Sequence, residues 1–142
     1  MSSKKNQKTN SKSTSERIEL KLGSKIWLEL KEAQESSFSF GPGDLKLLKT
    51  LKKTRNLTRA SEECGYSYKY AWRKLKKIKK QTGLAVVKTS KGGAGGGGNA
   101  IVTPWGEYLI RQFEDAKEKM IKTISEINKK LATKVFKQEE NK

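Results

Sequence analysis

Six of the nine residues from 91 to 99 are glycine, and the run lies between two short apolar stretches, 84–89 and 100–103. Glycine has no Cβ and loses more freedom on ordering than any other residue, so such a run extends neither a helix nor a strand. The flanking stretches have strand length and carry Val86, Val87, Ile101 and Val102. A β-hairpin with a long glycine tip satisfies all three segments. The other use of clustered glycines, a loop cradling a nucleotide phosphate, needs GxxxxGK[ST] opening a helix, whereas this run sits between strands.

What precedes the hairpin decides its use. Thr58 is placed to cap a short helix whose inner face carries Ala60 and Cys64. Gly65 supplies a turn position where positive φ is cheap. Ser67 caps a second helix running to about Lys80, with Ala71, Leu75 and Ile78 as its buried stripe. Trp72 flanks that stripe and reads as core, while Tyr66 is open to either role. The remaining faces carry Lys69, Tyr70, Arg73, Lys74, Lys76, Lys77 and Lys80. A short helix, a glycine turn and a basic second helix describe a helix-turn-helix, and a hairpin directly after it is a wing. Taken without the hairpin, the two helices also suit an αα-hairpin with a solvated lysine face.

Upstream, residues 17–30 alternate apolar and charged side chains, which predicts one or two half-buried strands broken near Gly23 and Ser24. Phe38 to Phe40 forms a short pairing strand stopped by Gly41, Pro42 and Gly43. A helix follows to about Thr54, with Asp44 near its N-cap and Leu45, Leu48 and Leu51 on one side. Residues 1–16 have no aliphatic or aromatic side chain beyond Met1 and read as a disordered basic tail.

The chain has 142 residues and a formal net charge of +17. Residues 42–91 hold fifteen bases against three acids, so +12 of that excess sits in about a third of the chain. A surface charged only for solubility has no reason to segregate in this way, and a polyanion is the expected partner. With one cysteine and no histidine, neither an intramolecular disulfide nor the usual zinc sites can form. No nucleophile pattern suggests an enzyme. No secretory h-region or membrane-length apolar run is present, so a cytoplasmic, nucleoid-associated protein is expected.

At the C-terminal side Thr103 caps a helix that Pro104 opens. Apolar residues recur at Leu109, Phe113, Ala116, Met120, Ile124, Ile127, Leu131 and Val135, and no breaker interrupts 107–136. A helix of that length spans about 45 Å, more than a small domain can cover. Pairing with the same helix of a second copy would bury the stripe; folding back onto its own domain is the alternative. The expected class is therefore mainly α with small β. A tail at 1–16, a winged helix-turn-helix at 17–103, a dimerisation helix at 104–136 and a tail at 137–142 make up the chain.

SYKYAW at 67–72 together with KGGAGGGGNAIVT at 91–103 resembles the N-terminal domain of the molybdate-responsive ModE regulators, within the wider LysR-type winged-helix group. The likeness runs from about Ile18 to Met120 and takes in FGPGDLKLLKTL, LTRASEECGYSYKYAW and VTPWGEYLI. It implies a dimeric, DNA-binding winged helix whose long helices form the dimer contact. Full-length members carry molybdate-binding domains after this part. No strand-rich segment follows the helix here, so molybdate binding is not expected, nor any cofactor.

The resulting expectation is a homodimeric transcription regulator that reads duplex DNA. Ser67, Tyr68, Lys69 and Tyr70 form the first turn of a recognition helix in the major groove, with Arg73 as a bidentate guanine reader. Lys74, Lys77, Arg55, Thr58 and Arg59 approach phosphates. Lys88, Lys91, Gly92, Gly93 and Asn99 place the wing on the backbone or minor groove. The dimer contact falls to Leu109, Phe113, Ala116, Met120, Ile124, Ile127 and Leu131. The alternative is an abundant nucleoid-associated architectural protein with little sequence preference, which a lysine-heavy surface suits.

Overall fold

The computed structural model describes residues 15–31, 38–90, 99–131 and 134–137. These fall into two compact units, one of residues 25–120 and one of residues 1–24 with 121–142.

In the larger unit helix α1 (Pro42–Thr54) begins where Pro42 contributes a preset φ and no unsatisfied donor. Gly41 is its N-cap. Asp44 serves from the third helical position, accepting the Gly41 N–H at 2.9 Å. Leu45, Leu47, Leu48 and Leu51 are all buried. Leu47, off the expected stripe, is fully enclosed because α1 packs on more than one neighbour, the helix at Leu57–Cys64 and the strand at Asn99–Val102 among them. Helix α2 (Leu57–Cys64) is capped by Asn56, whose side chain accepts the Arg59 N–H at 2.8 Å. That corrects the assignment to Thr58, which lies inside the first turn: Asn56 is the last residue with extended backbone and so holds the capping position. Helix α3 (Tyr68–Thr82) is capped by Ser67, as expected, and buries Ala71, Leu75 and Ile78.

Strands β2 (Val87–Ser90) and β3 (Asn99–Val102) pair antiparallel, Val87 opposite Val102 and Ser90 opposite Asn99. Ala100 and Val102 face the core while Asn99 and Ile101 face out. Thr103 then caps helix α4 (Pro104–Lys130), its hydroxyl accepting the Gly106 N–H and donating to the Ala85 carbonyl. Gly106 is where α4 meets the hairpin: a Cβ there would lie 2.6 Å from the Val86 carbonyl oxygen and 2.7 Å from Val102 Cγ1. Phe38 and Phe40 complete the core. Phe40 exchanges backbone hydrogen bonds with Leu28 and sets its ring edge-on to Phe113. Trp72 and Tyr66, half-buried, pack against this core.

In the smaller unit strand β1 (Ser15–Ile18) pairs antiparallel with β4 (Lys134–Lys137). The Asn128 side chain takes the Leu22 N–H at 2.7 Å and donates to its carbonyl at 3.3 Å. Three expectations are corrected. The helix stops at Lys130 rather than running to 136, since residues 134–137 carry Val135 and Phe136, good strand formers, and find a partner in β1. The alternating stretch from Arg17 to Leu30 forms a strand only as far as Ile18, plus the single bridge at Leu28, and Leu20 and Leu22 are exposed. The strand also begins at Ser15, inside the stretch read as a disordered tail; residues 1–14 lie outside the described residues. No helix among the described residues is long and apolar enough to cross a membrane.

Candidate nucleic-acid interface

The turn between α2 and α3 is set by Gly65, at φ 77, whose N–H reaches the Glu62 carbonyl while the Tyr66 N–H reaches that of Ser61. This closes α2 within one residue and starts α3 two residues later. The inner side of the turn is sealed by small groups: Ala60, Ser61, Cys64 and Ala71 are all buried, and the Ser61 hydroxyl donates back to the Leu57 carbonyl. Small residues there let α2 and α3 approach, which turns the remaining faces of α3 outward.

Those faces carry seven cations and no acid: Lys69, Arg73, Lys74, Lys76, Lys77, Lys79 and Lys80. Six are exposed; Lys74 is half-buried. Among the described residues only Lys74 of this set has an ion-pair partner. Three of the four lysines of α1 behave differently: Lys49, Lys52 and Lys53 hold the carboxylates of Glu114, Glu107 and Glu63. Among the described residues α3 thus carries six exposed cations without an ion pair, whereas on α1 only Lys46 is left without one. Tyr68 and Tyr70 stand exposed in its first turn. A cleft of about 290 Å³ runs beside the helix, lined by Tyr70, Arg73 and Lys77 against Phe38 and Ser39.

Lys74 corrects the expectation of a phosphate contact. Its Nζ lies 3.1 Å from Asp44 Oδ1, with side-chain exposures of 21% and 12%, and 5.5 Å from the centre of the Tyr70 ring. Burial works against its charge, but the Asp44 carboxylate and its hydrogen bond outweigh that and hold the ammonium above the ordinary lysine value. Burial also raises the Tyr66 phenol, against the pull of Lys74. An ammonium already committed to a carboxylate is not offered to a phosphate. Asp44 lies thirty residues away, and no local signal in the sequence links the two.

The wing root is tied to the α1–α2 junction. The Ala100 N–H donates to the Arg55 carbonyl at 3.0 Å, and Asn56 bridges Asn99. Arg55, Thr58, Arg59, Lys88 and Asn99 are all exposed, and Arg55 and Asn99 both lie at this root. Lys91, Gly92 and Gly93 lie outside the described residues. Of the expected dimer residues, Leu109 and Phe113 are 4% and 1% exposed within the chain's own core, so neither is open to a second copy. Ala116, Met120 and Ile127 are exposed, and Ile124 and Leu131 are half-buried. Ile121, which strict stripe spacing passed over, is more exposed than any of the apolar residues beside it on α4.

Two helices crossing at a glycine turn, followed by a β-hairpin fastened to the first of them, define a winged helix-turn-helix. No family model matches the chain. It is 33% identical over 91 residues to the molybdenum-pterin-binding protein MopB of Rhodobacter capsulatus, covering 64% of this chain and 33% of that protein. It is 31% identical over 93 residues to the DNA-binding transcriptional dual regulator ModE of Escherichia coli, covering 66% and 34%. The chain therefore spans about a third of the length of the curated relatives it matches. Among solved structures, a full-length OxyR variant from Pseudomonas aeruginosa aligns with a TM-score of 0.45 and 25% identity over 60% of this chain and 27% of that one. The winged helix-turn-helix of this protein is ModE-like.

Proposed function

We propose that this protein is a DNA-binding transcription regulator that inserts α3 into the major groove and lays its wing on the flanking backbone. The observation that carries this reading is the row of exposed cations on α3 without an ion pair, whereas three of the four lysines of α1 each hold a carboxylate. The similarity to ModE, a regulator named as DNA-binding, supports it. Ser67, Tyr68, Lys69 and Tyr70 reach bases or phosphates from the first turn, and Arg73, one turn on, is suited to the two acceptors of guanine. Lys77 and Arg59 meet phosphates, with Lys88 and Asn99 at the wing. Two copies associate through the exposed apolar residues of α4.

The test is affinity for a mixed-sequence DNA duplex and for a selected preferred site across a salt series. Steep salt dependence is expected, with Lys77→Ala making the slope shallower by about one unit, as for one lost phosphate. Arg73→Ala is expected to abolish the preference between the two duplexes. If wild-type protein binds neither duplex, the reading is wrong. A genome-wide occupancy map separates a regulator, with discrete peaks, from an architectural protein with broad coverage.

A further inference from the structure

Helices α1, α2 and α3 all end in a left-handed cap. Two of the caps are glycine, Gly65 at φ 77 and Gly83 at φ 82. The third is Arg55, at φ 58 and ψ 25, and among the described residues it is the only residue other than glycine with a positive φ. In that region the Cβ of an L residue crowds the following carbonyl, a strain glycine does not feel. Such a conformation persists where the surroundings hold it, and here they do. The Arg55 N–H donates to the Leu51 carbonyl at 2.7 Å, its own carbonyl accepts from Ala100 at 3.0 Å, and the next residue, Asn56, bridges Asn99.

All of these contacts belong to the backbone, and none needs a guanidinium. The Arg55 side chain is exposed and makes no ion pair or hydrogen bond with any described residue. Internal packing therefore does not account for an arginine where the backbone favours glycine. What the position does offer is a rigid base at the junction of α1, α2 and the wing. A planar, permanently charged fork on such a base suits a phosphate diester.

We infer that Arg55 is a DNA-phosphate contact at the wing root, kept there at the expense of fold stability. This deepens the proposed function and rests on it.

The experiment compares Arg55→Gly, Arg55→Asn and Arg55→Lys with wild type, and with Lys77→Ala as a second phosphate-contact variant. Thermal melting is measured without DNA, and affinity on a mixed-sequence duplex across a salt series. Arg55→Gly and Arg55→Asn are expected to melt at or above the wild-type temperature. They should bind about five- to tenfold more weakly, with a salt slope shallower by about one unit. Arg55→Lys should keep most of that slope. Melting several degrees below wild type for both Gly and Asn overturns the inference, since the side chain would then be structural. Affinity within twofold of wild type overturns it as well. If Lys77→Ala weakens binding while the Arg55 variants do not, this inference fails and the proposed function stands; if wild type does not bind the duplex, both fall.

Discussion

Asp44 divides its two oxygens between two elements. Oδ2 accepts the Gly41 N–H and closes the first turn of α1, while Oδ1 holds the Lys74 ammonium of α3. Removing one partner of a pair this far from water leaves the other uncompensated, so Asp44→Asn should cost on the order of 2 kcal/mol in urea unfolding at neutral pH. The pH dependence follows from Lys74. Burial opposes its charge but Asp44 prevails, so its folded value lies above the ordinary 10.5. A group raised on folding contributes its stabilisation in full below its unfolded value and loses it as pH climbs through the folded one. The deficit of Lys74→Met against wild type should therefore be constant at neutral pH and shrink above about pH 10.5. Because Lys74 is spoken for, the same variant should leave the salt slope of DNA binding close to wild type, unlike Lys77→Ala; a slope shallower by a full unit would return Lys74 to the phosphate contacts. At Gly106 the argument is steric. A methyl 2.6 Å from the Val86 carbonyl forces α4 away from the hairpin, and Gly106→Ala should lose about 2–3 kcal/mol by the same measurement.

At the scale of elements, α3 is a helix whose placement comes from its ends and its inner stripe, and whose outer charge works against it. Its seven cations, with no acid among them, repel one another along the helix. The Ser67 cap, the left-handed stop at Gly83 and the burial of Ala71, Leu75 and Ile78 offset that repulsion. Ser67→Ala should accordingly cost about 1 kcal/mol of stability. Added polyanion should recover part of the loss, because phosphates relieve the repulsion that the cap was offsetting. Melting with and without heparin checks both. The wing depends on a different link, the Ala100 to Arg55 hydrogen bond and the Asn56–Asn99 bridge, which fasten β3 to the start of α2. The hairpin and the helix-turn-helix thus present to a ligand as one body.

For the whole molecule the division within α4 matters most. Leu109, Ile110 and Phe113 are spent on the core, whereas Ile121 and Ile127 stand exposed with Ile18, Leu20 and Leu22 in the smaller unit. A two-stranded ribbon and a few helical turns bury too little to stand alone, and that is the argument for a second copy there. Two variants should separate the roles. Phe113→Ala should destabilise the fold by about 3–5 kcal/mol, the range for emptying a buried aromatic site. If two copies associate there as proposed, Ile121→Asp with Ile127→Asp should instead yield a folded monomer in sedimentation velocity, with its far-ultraviolet spectrum unchanged, where wild type sediments as a dimer.

Local chemistry made much of this protein readable from its residues. The Ser67 and Thr103 caps, the Ala71–Leu75–Ile78 stripe and the Gly65 turn depend on neighbours within a few positions and appear where such rules put them, and the strands around the glycine run pair as expected, though the first begins at Val87 rather than Leu84. The gathering of charge between residues 42 and 91 is likewise a property of composition. Only the tertiary structure decided the rest. A period of three and four marks which residues of α4 share a face, but not whether that face meets its own core or a partner, and Leu109 and Phe113 turn to the core. Strand formers at 135 and 136 continue a helix or leave it according to whether a partner strand lies near, and β1 is more than a hundred residues away in the chain. Lys74 reads like every other lysine of α3 until Asp44 is brought beside it. Pairing across such separations is a matter of geometry in space, which sequence spacing does not encode.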